Sequence, residues 1–118
     1  INGHTKIKDC LWRNEETSLN KSYISHESLP DEIKEDISEE DMKGNVLFVQ
    51  NYLVSSGSNT LSLSNISAFN EKLNIEFKVN KPIIGTCDLK LYRIYLFVST
   101  KDLEEYNINL NDVIWRFL

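Results

Sequence analysis

The stretch from Asn45 to Thr100 constrains the fold more than any other part of the chain. It holds four runs with the hydrophobic pattern of β-strands, and turn residues separate each run from the next. The runs are Val46–Val54, Thr60–Phe69, Lys72–Val79 and Asp88–Val98. Because the connections are too short to hold crossover helices, the strands are expected to pair in antiparallel fashion.

The first and the last of these runs are apolar at nearly every position, which is typical of strands covered on both faces. In the last run, one face carries Leu89, Leu91, Tyr95 and Phe97, and the other carries Tyr92, Ile94, Leu96 and Val98. We therefore predict that Asp88–Val98 lies in the middle of a sheet, with a packed layer on each side.

The second and third runs alternate apolar and polar residues and predict a hairpin with one face in water. The alternation is cleanest in Lys72–Val79, and Asn70-Glu71 supplies the turn before it. In Thr60–Phe69 the apolar set moves from odd to even positions near Ser64–Asn65. A β-bulge at that point would keep the apolar residues on one face, because it adds one residue to a strand.

Residues 28–43 are predicted to form an acidic helical segment. Ser28 and Pro30 suit the start of a helix. One apolar residue recurs every four positions, at Leu29, Ile33 and Ile37. The helix is expected to run from about Pro30 to Asp36, with a further turn over Ser38–Asp41.

The two ends of the chain have weaker patterns. Residues 1–27 are predicted to be an N-terminal arm and loop, in which Lys6–Trp12 is either a short first strand or an extended arm and Glu15–Ser22 is a loop. At the other end, we expect a short helical turn over Lys101–Tyr106 and a last strand over Val113–Leu118.

Together these elements predict one domain over residues 1–118, with a β body over residues 46–118. The fold class is mainly β: an antiparallel β-sandwich or a partly open barrel with one or two short helices. We favour the sandwich, with the acidic helix closing one end. The alternative is an α+β fold, in which the helix packs on one antiparallel sheet.

The net charge of −5 is carried by the first 45 residues, which hold eleven acids and six bases. Seven carboxylates and one lysine lie between Asp31 and Asp41. Such a segment repels a phosphate backbone, which argues against a nucleic-acid partner. It forms either a solvated helix face or a surface toward which a basic protein is steered.

No pattern in the sequence points to catalysis, a cofactor or a bound metal. His4 and His26 have no sequence neighbours that would make them general bases, and Glu39–Asp41 lacks the alternating pattern of calcium loops. Cys10 and Cys87 are too far apart in sequence for a clustered metal site. They form either a disulfide, in an oxidising compartment, or two separate thiols. We therefore predict that the protein is not an enzyme.

Between residues 46 and 98 the chain runs from an apolar strand through a glycine-containing turn and a hairpin to a Gly-x-Cys segment and a last strand. These features are Val46–Val49, Ser56-Gly57-Ser58, Leu61–Phe69, Leu73–Val79, Gly85-Thr86-Cys87 and Tyr92–Val98. This order resembles the PrcB-like family of bacterial, secreted or lipid-anchored β domains, named for a subunit that stabilises a cell-surface protease complex. The resemblance implies a non-enzymatic, extracytoplasmic, protein-binding domain with an Ig-like sandwich.

We therefore predict a non-catalytic β domain that binds another protein, outside the cytoplasm and without a membrane span. The alternative is an acidic cytoplasmic protein of the immunity or antitoxin type, which neutralises a basic partner. The residues expected to touch the partner lie in the acidic segment and in the loop before Thr60. They are Asp31, Glu32, Glu35, Glu39, Glu40, Asp41, Ser56, Gly57 and Asn59.

Overall fold

Seven strands in two sheets form the body of the computed structural model, which describes residues 1–10, 20–54, 59–82, 84 and 89–118. The strands are β1 (Gly3–Cys10), β2 (Asn20–Tyr23), β3 (Asn45–Val54), β4 (Thr60–Phe69), β5 (Lys72–Asn80), β6 (Lys90–Ser99) and β7 (Val113–Phe117). The fold is therefore mainly β, as the hydrophobic pattern predicts.

The first sheet has the strand order β1-β6-β3-β2, and all its neighbours are antiparallel. β6 lies between β1 and β3, and its residues from Leu91 to Val98 are all buried. This confirms the prediction of a central strand that is covered on both faces.

The N-terminal region contributes the two edge strands of this sheet, β1 and β2. The prediction of a loop over Glu15–Ser22 is wrong for its last three residues, which belong to β2. Polar residues form a strand here because β3 supplies hydrogen-bonding partners, with Ser22 opposite Phe48. Of the two alternatives for Lys6–Trp12, the structure shows the strand, which begins earlier, at Gly3, while Trp12 lies outside the described residues.

The second sheet has the order β4-β5-β7. β4 and β5 form the predicted hairpin, and the register shifts between Leu63 and Asn65, which confirms the predicted bulge. Asn70 and Glu71 form the turn with φ of 51° and 65°. β7 pairs with β5 in parallel, so the prediction of purely antiparallel pairing is wrong for this strand. The intervening β6 and the residues after it supply the long connection that parallel pairing requires.

The two sheets face each other across the main hydrophobic core. Its buried residues are Val46, Phe48, Ile66, Leu73, Ile75, Phe77, Ile94, Leu96, Val98 and Leu103. Among the described residues the sheets have separate hydrogen-bonding ladders, so the architecture is a sandwich and not a closed barrel.

Short helices complete the fold: a 3-10 turn at His26–Ser28, α1 (Asp31–Lys34), α2 (Glu39–Met42) and α3 (Thr100–Glu105). The acidic segment is two short helices that pack on the outer face of the first sheet, and does not close one end of the sandwich. The second core cluster is Leu29, Ile33, Ile37, Met42, Leu47, Val49, Tyr95 and Phe97. The structure therefore combines the sandwich with the helix-on-sheet layer of the α+β alternative.

Candidate functional site

Local hydrogen bonds shape the acidic segment, residues 28–43, through the backbone in α1 and through a side-chain cap in α2. Pro30 precedes α1, and Asp31 and Glu32 occupy its first turn, where negative charge favours a helix. Ser38 begins α2 with a capping box: the Asp41 N–H donates to Ser38 Oγ at 3.1 Å, and the Ser38 N–H donates to Asp41 Oδ2 at 3.0 Å. The two helices are thus defined by local hydrogen bonds despite their short length.

Four apolar side chains anchor this segment to the sheet. They are Leu29, Ile33, Ile37 and Met42, all part of the second core cluster. The ring of His26 adds a link, since Nε2 hydrogen-bonds to the Ile37 carbonyl oxygen at 2.8 Å. These contacts fix the backbone of the segment on the outer face of the first sheet.

Asp36 turns inward and joins a polar cluster with β1 and β6. Lys8 Nζ donates to its two carboxylate oxygens at 2.9 and 3.0 Å, and the Tyr95 hydroxyl donates at 2.7 Å. Burial by itself would raise the pKa of Asp36, but the hydrogen bonds from Tyr95 and Lys8 outweigh it and hold that pKa below its usual value. Burial, and next the Asp36 carboxylate, raise the pKa of the Tyr95 hydroxyl far above its usual range.

Asp41 is the second carboxylate of the segment with a structural partner. Lys6 Nζ on β1 lies 2.7 Å from its Oδ2 atom. The hydrogen bond from Lys6, and next the one from the Ser38 backbone, lower the pKa of Asp41 from 3.8 to about 2. Of the predicted partner-binding residues, Asp41 is therefore engaged inside the molecule.

These two carboxylates predict a loss of stability in acid. A carboxyl group with a lowered folded-state pKa stabilises the folded protein above its unfolded pKa, and this contribution disappears as the pH falls through the folded pKa. For Asp41 the interval lies between 3.8 and about 2. We expect the melting temperature to fall over this interval, and to fall less in Asp41→Asn. Thermal melts at stepwise pH provide the measurement. If the melting temperatures of the wild type and Asp41→Asn depended on pH in the same way, the stabilising role of the Asp41 carboxylate would be contradicted.

The other five carboxylates of the segment point into solvent and form what we call the acidic surface: Asp31, Glu32, Glu35, Glu39 and Glu40. None of them forms an ion pair with another residue that the structure describes. All five belong to the predicted partner-binding set, and all lie on the helical layer that packs on the first sheet. The arrangement can attract cations and basic side chains.

The remaining predicted residues do not join this surface. Asn59 is 5% exposed, and its carbonyl oxygen accepts a hydrogen bond from the Tyr92 hydroxyl at 2.7 Å. It therefore presents little surface to a partner, and its role in binding stays a prediction. Ser56 and Gly57 lie outside the described residues. Cys10 is half-buried at the end of β1, and Cys87 is not described, so the disulfide stays a prediction.

Two features of the site were missed by the sequence reasoning. The first is the pair of lysines on β1, Lys6 and Lys8, whose alternation with Ile7 is the signal that could have placed both ammonium groups on one strand face. The second is the exposure of Ile24, which is 69% accessible beside the acidic surface. No periodic pattern surrounds Ile24, so nothing in the sequence distinguishes it from a core isoleucine.

The histidines and the buried polar residues that the structure describes are engaged in contacts within the molecule. Within them, no group of three His, Cys, Asp or Glu side chains comes together as a metal site. The ring of His4 stacks on Phe97 with 4.8 Å between centroids. Arg93, which is 7% exposed, donates from Nε to Asn51 Oδ1 at 3.3 Å. These contacts give the polar groups structural roles.

Comparison of the chain with models of protein families, with curated proteins and with solved structures finds no match to any of them. The resemblance to the PrcB-like family therefore stays a prediction. Among the described residues, no helix has the length and apolar character required to cross a bilayer.

Proposed function

We propose that this chain is a non-catalytic domain that binds another protein and presents the acidic surface to a basic region of that partner. The observation that carries the proposal is that the carboxylates of residues 28–43 fall into two groups, one paired within the molecule and one exposed. Asp36 and Asp41 are held by lysines of the same chain, whereas the five others are exposed without an ion pair among the described residues.

The physical argument is that neighbouring exposed carboxylates repel one another. Their mutual repulsion is relieved when a positively charged surface approaches, and the same field steers that surface into contact. The anchored backbone also matters, because a preformed surface loses less conformational entropy on binding than a flexible one. A nucleic acid does not fit, since its phosphates carry the same sign of charge.

Both sequence-based hypotheses, the extracytoplasmic PrcB-like domain and the cytoplasmic immunity-type protein, include a protein partner. The extracytoplasmic placement is retained as part of the proposal, and the PrcB-like resemblance is what supports it. The acidic surface supports the partner's basic character under either hypothesis.

Charge reversal tests the proposal. The double variant Glu35→Lys/Glu39→Lys should retain far less partner than the wild type when each serves as bait in a native extract. Both side chains are exposed, so we expect the free energy of unfolding to change by no more than about 0.5 kcal/mol per site. The affinity of the captured partner should also fall as salt rises from about 50 to about 200 mM, because exposed charges are screened over this range.

A matched control is Asp9→Lys/Glu76→Lys, which makes the same change in net charge on β1 and β5. It should bind the partner almost as well as the wild type. Equal retention of the same proteins by all three baits, or an affinity that does not respond to salt, would refute the acidic surface as the binding site.

A further inference from the structure

A cleft of about 390 Å³ opens at one end of the sandwich, where β3 begins and α3 follows β6. Its apolar wall comes from three regions of the chain: the residue after β2, the start of β3, and the stretch formed by α3 and the residues that follow it. The wall includes Ile24, Val46, Leu103, Ile108 and Leu110, with Glu104 at the surface. Its size lies at the lower end of the range for binding pockets, enough for one or two large side chains.

Ile24 forms the boundary between this cleft and a second, more open hollow of about 590 Å³. The hollow is lined by Glu27, Glu39, Glu40 and Lys43, among others. Ile24 is 69% exposed and lines both openings. Ile24 therefore joins an apolar cleft to an acidic hollow through one exposed side chain.

The charges around the two openings have one dominant sign. Four exposed glutamates line them, Glu27, Glu39, Glu40 and Glu104, against one lysine, Lys43. A bound segment whose apolar group is flanked by positive charge is therefore favoured over a segment whose apolar group is flanked by negative charge. This charge complementarity indicates the chemistry of the occupant.

We propose that the cleft binds a bulky apolar side chain of a partner protein, and that the hollow binds a lysine or arginine close to it in the same segment. The proposal rests on the proposed function and specifies which partner segments it accepts. The methylene stem of a lysine or arginine can lie across Ile24 while its charged end reaches the glutamates, as long basic side chains commonly do. The apolar anchor supplies affinity, and the basic residue supplies selectivity.

Peptide titration of the isotope-labelled domain, followed by NMR, tests this inference. The probe is a short lysine-rich peptide with a central phenylalanine, and two matched peptides replace the phenylalanine by alanine or the lysines by glutamate. We expect the amide signals of Ile24, Ile108 and Leu110 to shift with the first peptide. Loss of the phenylalanine should weaken binding about 30-fold, as expected for an anchor residue, and the glutamate peptide should not bind.

Two serine variants separate the cleft from other apolar surface. Ile24→Ser should weaken the phenylalanine peptide at least about tenfold while leaving the melting temperature near that of the wild type, because the side chain is exposed. Leu89→Ser, at the opposite end of β6 and 50% exposed, should have no effect on binding.

The outcomes distinguish this inference from the proposed function. If the alanine and phenylalanine peptides bind equally, with shifts confined to the acidic surface, the cleft is excluded while the proposed function stands. If neither lysine peptide produces shifts, both the proposed function and this inference are refuted for lysine-rich segments. If indole alone shifts the cleft signals as strongly as the peptide, the cleft is a small-molecule site and the inference is overturned.

Discussion

Replacement of Ile94 by aspartate is expected to unfold the domain. Ile94 has no exposed surface and lies in the middle of β6, opposite Ile7 of β1 and Gln50 of β3. Its side chain belongs to the core between the two sheets. An unpaired charge in such a position costs several kcal/mol, which is comparable to the roughly 5–15 kcal/mol that keeps a domain folded.

Circular dichroism and thermal melts measure the effect of Ile94→Asp. The matched control is Ile24→Asp, the same change at an isoleucine that is 69% exposed, and it should remain folded with a melting temperature near that of the wild type. A cooperative melt of Ile94→Asp near the wild-type temperature would mean that β6 is not the centre of the sandwich.

Truncation of Ile33 to alanine is expected to destabilise the protein by about 2–5 kcal/mol, the range for a large aliphatic side chain removed from a core. Ile33 is 1% exposed and lies in the cluster between α1 and the outer face of the first sheet, with Leu47 and Tyr95. The variant leaves a cavity beneath the acidic segment. The free energy of unfolding in urea gives the measurement.

Two further variants make this result interpretable. Ile33→Val removes a single methylene and should cost about 0.5–1.5 kcal/mol. Glu32→Ala, at the preceding exposed position, should change stability by less than about 0.5 kcal/mol. A cost below 1 kcal/mol for Ile33→Ala would show that the helices contribute little to the fold, and that the acidic surface is not rigidly presented.

The strands from β3 to β6 were predictable because the hydrophobic pattern that defines each of them is local. The alternation in Lys72–Val79, the change of parity near Ser64 and the continuous apolar run ending at Val98 each reflect which faces of one strand are covered. The structure confirms all three, as β5, the bulge in β4 and the central β6. Hydrophobic periodicity records the number of packed faces, so it also predicted that β6 has a layer on each side.

The position of the helical layer and the direction of β7 were not predictable in this way. The apolar stripe of Leu29, Ile33 and Ile37 requires burial but does not specify the surface that covers it. The residues of β7 do not indicate the direction in which the strand runs. Its parallel pairing with β5 depends on the route of the chain through β6 and α3.

The sequence by itself determined the strands from β3 to β6, the bulge, the turn and the concentration of acid between residues 31 and 41, because each depends on neighbours within a few positions. The tertiary structure alone decided which carboxylates are engaged and which are exposed. Lys8 and Lys6 reach Asp36 and Asp41 across 28 and 35 positions of chain, so two of seven similar residues became structural. The physical reason is that an ion pair depends on distance in space, which a linear pattern of residues does not contain.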